Sequence, residues 1–174
     1  MAELKTLHDL FVRELRDAYD ARKQMLKAWR KMARATRHEA LSEEFTGRLE
    51  EARTQIATLQ QVFALLDLKP RGKHCPGIAG IIEESDEAIE DTRKKSAVRD
   101  AALIGGARRA GHYEIAAYTT LIALAASLDL PEVASTLQTI LTQEIAADDR
   151  LDVVATAMLA ASEERAPSAE RTAG

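Results

Sequence analysis

A chain of 174 residues fits one domain and is long enough to bury a sizeable core. Hydrophobic residues make up 46% but aromatics only 4%, with 8 Gly and 4 Pro, a composition that suits long helices and argues against a sheet-rich fold. The net charge of −4, with acids and bases interleaved, speaks against nucleic acid as a partner; a single cysteine, Cys75, excludes an intrachain disulfide and a Cys-rich metal site.

No apolar run is long enough for a bilayer span, and Met1 to Lys5 lacks the charged-then-apolar pattern of a secretory signal. The expectation is a soluble cytoplasmic protein that does not engage a membrane.

The first helix should begin at Thr6, whose hydroxyl can cap, with Asp9 completing a variant of the capping box. Its core series is Phe11, Leu15, Ala18, Arg22, Met25, Trp29 and Met32, in alternating steps of 4 and 3. Every member but Arg22 is apolar. Helix character fades near Thr36, and Arg37-His38-Glu39-Ala40 reads as a link short enough to force an antiparallel neighbour.

The second helix is expected to open near Leu41, with Ser42 as cap and Phe45, Leu49, Ala52, Ile56, Leu59, Phe63 and Leu66 as its stripe. Arg48, Glu51 and Gln55 flank that stripe. Pro70 disfavours helix at the residue before it, so the helix ends earlier. About thirty residues follow, from Asp67 to Val98, too many for a structureless loop in a compact domain. Ile78, Ile81, Ile82 and Ile89 allow a short amphipathic helix of one to three turns there, and Arg93-Lys94-Lys95 reads as a solvated turn.

The third helix should run from Ala97 to Ser127, with Ile104, Ala107, Gly111, Glu114, Tyr118, Leu121, Ala125 and, just past its end, Leu128 facing the core. A break at Leu128-Asp129-Leu130 sets Pro131 at the first position of the fourth helix. There the stripe is Val133, Leu137, Ile140, Glu144, Ala147, Leu151, Val154 and Met158, with Asp148 one turn beyond Glu144. The bundle is expected over residues 1–162, and a flexible polar tail over 163–174. Short links at both ends and one long crossover between helices two and three describe an all-α, ferritin-like, up-down four-helix bundle, the crossover carrying a short extra helix.

Leu7-His8-Asp9-Leu10-Phe11, Glu14-Leu15-Arg16-Asp17-Ala18-Tyr19-Asp20-Ala21, Lys31-Met32-Ala33, Gln61-Val62-Phe63 and His112-Tyr113-Glu114-Ile115-Ala116-Ala117-Tyr118 resemble the ferritin-like stress proteins typified by YciF, over residues 4 to 158. The resemblance implies a cytoplasmic homodimer of rubrerythrin-like bundles with a carboxylate-rich centre of di-iron or di-manganese type. Members of that family usually carry Glu where this chain has Arg22, Glu where it has Gly111, and His-Leu-Glu-Glu-Thr where it has Arg48-Leu49-Glu50-Glu51-Ala52. The acids left on matching positions, and so the candidate metal ligands, are Glu51, Glu114, Glu144 and Asp148.

Arg22 decides between a metal and an ion pair. A guanidinium is always protonated, offers a rigid fork of donors and repels an incoming cation. A dication with few carboxylate or imidazole ligands binds weakly. The favoured arrangement is therefore a core ion pair in which Arg22 meets Glu114 and either Glu51 or Glu144 by paired hydrogen bonds. One arginine cannot neutralise four acids, so Arg48 must help or one acid must hold a proton.

The remaining residues carry blander expectations. His112 sits two residues from Glu114 and so belongs to a surface or interface; His8, His38 and His74 fall at helix ends or in loops without ligand spacing. Tyr118, one turn from Glu114, could donate to it. Gly105, Gly106 and Gly111 suit close helix contacts, within the chain or across a dimer.

Two functions stand. The first is a stress-family protein with a degenerate di-metal site, in a structural or interaction role and with no cofactor. The alternative is an active oxidase, peroxidase or catalase using iron or manganese on Glu51, Glu114, Glu144 and Asp148, or a mononuclear variant with Arg22 swung outward.

Overall fold

The computed structural model describes residues 3–163; most of the expected tail, 164–174, lies outside the described residues. Five helices form: α1 (Leu7–Ala35), α2 (Glu39–Leu65), α3 (Pro76–Asp91), α4 (Ala97–Ser127) and α5 (Pro131–Glu163). None of them is long and apolar enough to cross a membrane.

α1 starts as its sequence dictates. Thr6 Oγ1 accepts from Asp9 N and Asp9 Oδ2 accepts from Thr6 N, both at 3.0 Å. Ser96 caps α4 in the same way, accepting from Arg99 N at 3.2 Å. α2 departs from expectation. It begins at Glu39, with His38 at the cap making no side-chain bond, and the Ser42 hydroxyl instead donates to Ala33 O at 3.0 Å. A serine inside the first turn can serve the neighbouring helix end because the link is so short. α2 and α4 end alike: Asp67 and Asp129 adopt left-handed φ of 53° and 54°, and Leu68 N and Leu130 N reach back to Phe63 O and Ala125 O. This is the Schellman closure, with a short polar side chain where glycine is usual.

The four long helices run antiparallel to the long helices they pair with below. Trp29 stacks on Phe45 at 5.8 Å while Tyr19, earlier in α1, meets Phe63, later in α2, edge-on at 5.5 Å. Likewise α5 descends along α2, since Glu44 pairs with Arg150 and Gln55 with Gln143. α1 meets α4 through Thr36 Oγ1 donating to Asp100 Oδ1 at one end and through Arg22 and Glu114 midway. Consequently α2 and α4 run the same way, and the chain must travel the bundle's length between them. That is the ferritin-like connectivity expected from the link lengths.

α3 covers this distance and lies in the groove between α1 and α4. Cys75 N donates to Asp20 Oδ2 at its start, Lys31 pairs with Asp86 further along, and Arg99 Nη2 donates to Ile89 O and Thr92 O at its end. At 16 residues it exceeds the one to three turns expected. Pro76 opens it, and Ile78 is fully buried with Ile81, Ile82 and Ile89 packed on the same cluster. Its many acids made the segment look more polar than its inner face is.

Close approach occurs inside the chain, where α3 meets α4. A Cβ on Gly77 would lie 2.7 to 2.9 Å from the Tyr113 ring, and one on Gly106 would lie 2.3 Å from Ser85 Oγ. Ser85 can rotate away; the Tyr113 ring, wedged beside Cys75, has less freedom. Gly77→Ala is therefore expected to destabilise the fold by ~1–3 kcal/mol, as overpacking does. A shifted urea midpoint at unchanged slope checks it.

The core divides into two apolar clusters. One holds Met25, Trp29, Phe45, Leu103, Ile104 and Leu151, the other Phe11, Leu15, Leu59, Phe63, Leu121 and Leu137. A polar layer separates them: Arg22, Arg48, Gln55, Glu114 and Glu144, all buried.

Candidate metal centre

Each of the four long helices sends its polar exception to this layer at the bundle's mid-height. Arg22 comes from α1, Arg48 and Gln55 from α2, Glu114 from α4 and Glu144 from α5. Arg22 Nη2 lies 2.9 Å from Glu114 Oε1 and 2.9 Å from Glu144 Oε1, with the Arg22 and Glu144 side chains at 0% exposure. Arg48 Nη2 donates to Glu144 Oε2 at 2.6 Å, and Gln55 Nε2 donates to Glu144 Oε1 at 2.9 Å. Two buried guanidinium groups thus face two buried carboxylates.

The geometry differs from a fork on a carboxylate. One Arg22 nitrogen sits between two acids at ion-pair distance, and among the described residues neither the three guanidinium nitrogens nor the Glu114 oxygens make a hydrogen bond, so the expected paired hydrogen bonds do not form. Tyr118 does not donate to Glu114. Its ring lies 5.9 Å from the Arg22 guanidinium carbon, and its buried hydroxyl has no hydrogen-bond partner among the described residues. Arg48 is placed in turn over Trp29, 5.0 Å from the ring. Flat cations on aromatic faces are a favourable way to hold buried charge.

The two acids are driven apart. Burial pushes Glu114 up to about 7; Arg22 opposes the rise and Glu144 adds to it. Burial would also raise Glu144, but Arg22, then Arg48 and the bonds from Arg48 and Gln55, outweigh it and hold that carboxyl down to about 2. Arg48 does help, and an acid does lean towards its protonated form.

The sign for stability follows. Between the usual glutamate value of 4.5 and about 7, the folded chain holds a proton on Glu114 that the unfolded chain has released. Stability from this group therefore falls as pH rises through that window, by about 3 kcal/mol in all. Glu144 acts oppositely, and its contribution is lost only as pH falls from 4.5 towards 2. Glu114→Gln is expected to flatten the decline between about pH 5 and pH 8, read from urea denaturation at both. An unchanged slope contradicts the assignment.

The remaining candidates do not join the centre. Glu51 is 29% exposed and pairs with Arg150 Nη2 at 2.6 Å, with Arg48 Nη1 more distant at 3.5 Å. Arg22 therefore meets Glu144 and not Glu51. Asp148 turns to the α4 side, with Oδ2 3.3 Å from His112 Nε2 and 3.5 Å from Arg108 Nη2. Both flank their stripes in the sequence, and the helix periodicity carries them to the bundle's edge. His112, 61% exposed, is a surface residue. Gly111 faces open space, since a Cβ there would meet nothing within 4 Å; it is not a close helix contact.

In ferritin-like di-metal proteins two helices each supply a Glu and the other two each supply a Glu and a His, so six side chains surround the two metals. Only two acids reach the middle here, with a guanidinium between them. Among the described residues no three of His, Cys, Asp and Glu come together so as to hold a metal ion. The residues do not fit a di-metal centre.

Sequence reasoning missed Gln55 as a partner of Glu144, although it stands one turn after Glu51 beside the stripe. It also missed Asp100, 1% exposed, which accepts from Thr36 Oγ1 and Arg37 N and so joins the α1–α2 link to α4.

Three comparisons fit this architecture. Residues 6–163 match the family described as domain of unknown function DUF892. The chain is 44% identical over 149 residues to protein YciF of Escherichia coli strain K12, covering 85% of this chain and 89% of that one. The crystal structure of that stress protein superposes with a TM-score of 0.86 at 40% identity, over 90% of this chain and 99% of the other. The structure of YcfI from Rhodopseudomonas palustris gives 0.82 at 42% identity, over 86% and 95%. A ferritin-like, diiron-carboxylate protein from Bacillus anthracis shares the fold, with a TM-score of 0.67 at 12% identity over 87% and 99%. With nearly the whole helical chain matched, this protein belongs to the DUF892 family, that of the stress protein YciF, and is built on the ferritin-like bundle.

Proposed function

We propose that this chain is a YciF-like stress protein in which an arginine–glutamate network stands where relatives of the fold carry a metal pair. It then acts as a helical scaffold or interaction module and not as a metal-dependent oxidase or peroxidase. The observation that carries this reading is Arg22 Nη2 at 2.9 Å from both Glu114 and Glu144 in a fully buried layer. A cation arriving there would have to displace a guanidinium that is itself tied to both acids, and would gain only two ligands. The reading includes a homodimer in the cytoplasm, which rests on the family resemblance alone.

Thermal unfolding with a large excess of Fe(II) or Mn(II), together with a peroxide-consumption assay, tests it. The expected result is an unchanged midpoint and no turnover. A midpoint that climbs with metal concentration, as binding to the folded state requires, contradicts the reading.

A further inference from the structure

On the α2–α5 side of the ion-pair layer lies a small cavity of about 10 Å³, lined by Trp29, Glu44, Arg48, Gly111, Glu144 and Asp148 among others. Three of these side chains present a buried polar atom with no hydrogen-bond partner among the described residues: Trp29 Nε1, Glu44 Oε1 and Asp148 Oδ1. Each acid spends its other oxygen on an outer cation. Glu44 Oε2 accepts from Arg150 Nε at 3.2 Å, and Asp148 Oδ2 faces Arg108 and His112. Trp29 itself is 1% exposed and cannot turn its N–H to bulk solvent. Gly111 leaves this wall of the cavity without a side chain.

We infer that this cavity is a binding site for one water molecule, which accepts from Trp29 Nε1–H and donates to Glu44 and Asp148. The volume is about the smallest that holds a single water, and buried waters characteristically make about three hydrogen bonds. The demand is also matched in kind: one protein donor and two protein acceptors are met by one lone pair and the two O–H groups of a water. A metal cation would not satisfy the indole N–H, and the Arg48 guanidinium on the same lining disfavours one. Carboxylate oxygens and an indole N–H buried unpaired are costly, so the water couples three helices: α1 through Trp29, α2 through Glu44 and α5 through Asp148.

Trp29 is the single tryptophan, so its indole N–H gives one resonance in the ¹⁵N-labelled chain. The inference expects a cross-peak from that proton to water with the sign of a long-lived bound molecule. It also expects a crystal structure of the chain to show one density peak within hydrogen-bond distance of Trp29 Nε1, Glu44 Oε1 and Asp148 Oδ1. Either an indole proton with no water cross-peak, or density showing the Trp29 N–H donating directly to one of the acids, overturns it.

Discussion

Arg22→Met is expected to lower the unfolding free energy by ~3–5 kcal/mol, the cost of leaving a buried charge without its partner. Arg22 is one of the largest fully buried side chains, and methionine keeps much of its length while removing the charge. Glu144 would retain Arg48 and Gln55, so the loss falls on Glu114, which has no other ion-pair partner among the described residues. Its carboxyl would then climb further above about 7 and the pH dependence would steepen. For a domain of this size the midpoint should fall by about 6–20 °C. The double variant Arg22→Met with Glu114→Met should recover most of the loss, because replacing both members of a buried pair by apolar groups is often neutral or better. A single variant as stable as the parent would mean that the pair is not buried as described.

Arg22→Glu combined with Gly111→Glu is expected to create metal binding that the parent lacks. The first change removes the guanidinium and adds an acid from α1 beside Glu114 and Glu144; the second adds an acid where a side chain finds open space. Four acids converging without a metal would repel one another, so the variant should be fragile without cation and restored by it. At a hundredfold excess over the dissociation constant the gain is about 2.7 kcal/mol. That corresponds to a rise of about 5–11 °C in the midpoint. Arg48 would remain on Glu144, and adding Arg48→His should strengthen the response by freeing that carboxylate and supplying an imidazole. If no manganese- or iron-dependent rise appears in either variant, the site is not a metal centre displaced by Arg22 and Gly111.

The helices were legible because their stripes hold a repeat of 3 and 4 over many turns, and the same repeat exposed Arg22, Glu114 and Glu144 as the charges among apolar positions. α4 occupies the span read for it from the sequence, Ala97 to Ser127. Ser42 misled because a serine near a helix start is as competent to bond the preceding helix's end, a choice that depends on tertiary proximity. Glu51 and Asp148 lay beside their stripes, and whether such a residue turns inward depends on which cations flank it. Arg150 of α5 pairs with Glu51 of α2, and Arg108 of α4 pairs with Asp148 of α5, contacts between helices that no single-helix pattern marks. The tie between Asp100 and Thr36 spans 64 residues, and no local signal marks it. Residue types chose the centre; only the packed helices chose which nitrogen meets which oxygen.

Elemental analysis of the full chain, purified from cells grown with added iron and manganese and dialysed without chelator, tests the central claim most directly. An arginine–glutamate network in the bundle centre predicts protein with far less than one metal per chain. Two metals per chain retained through dialysis would contradict it.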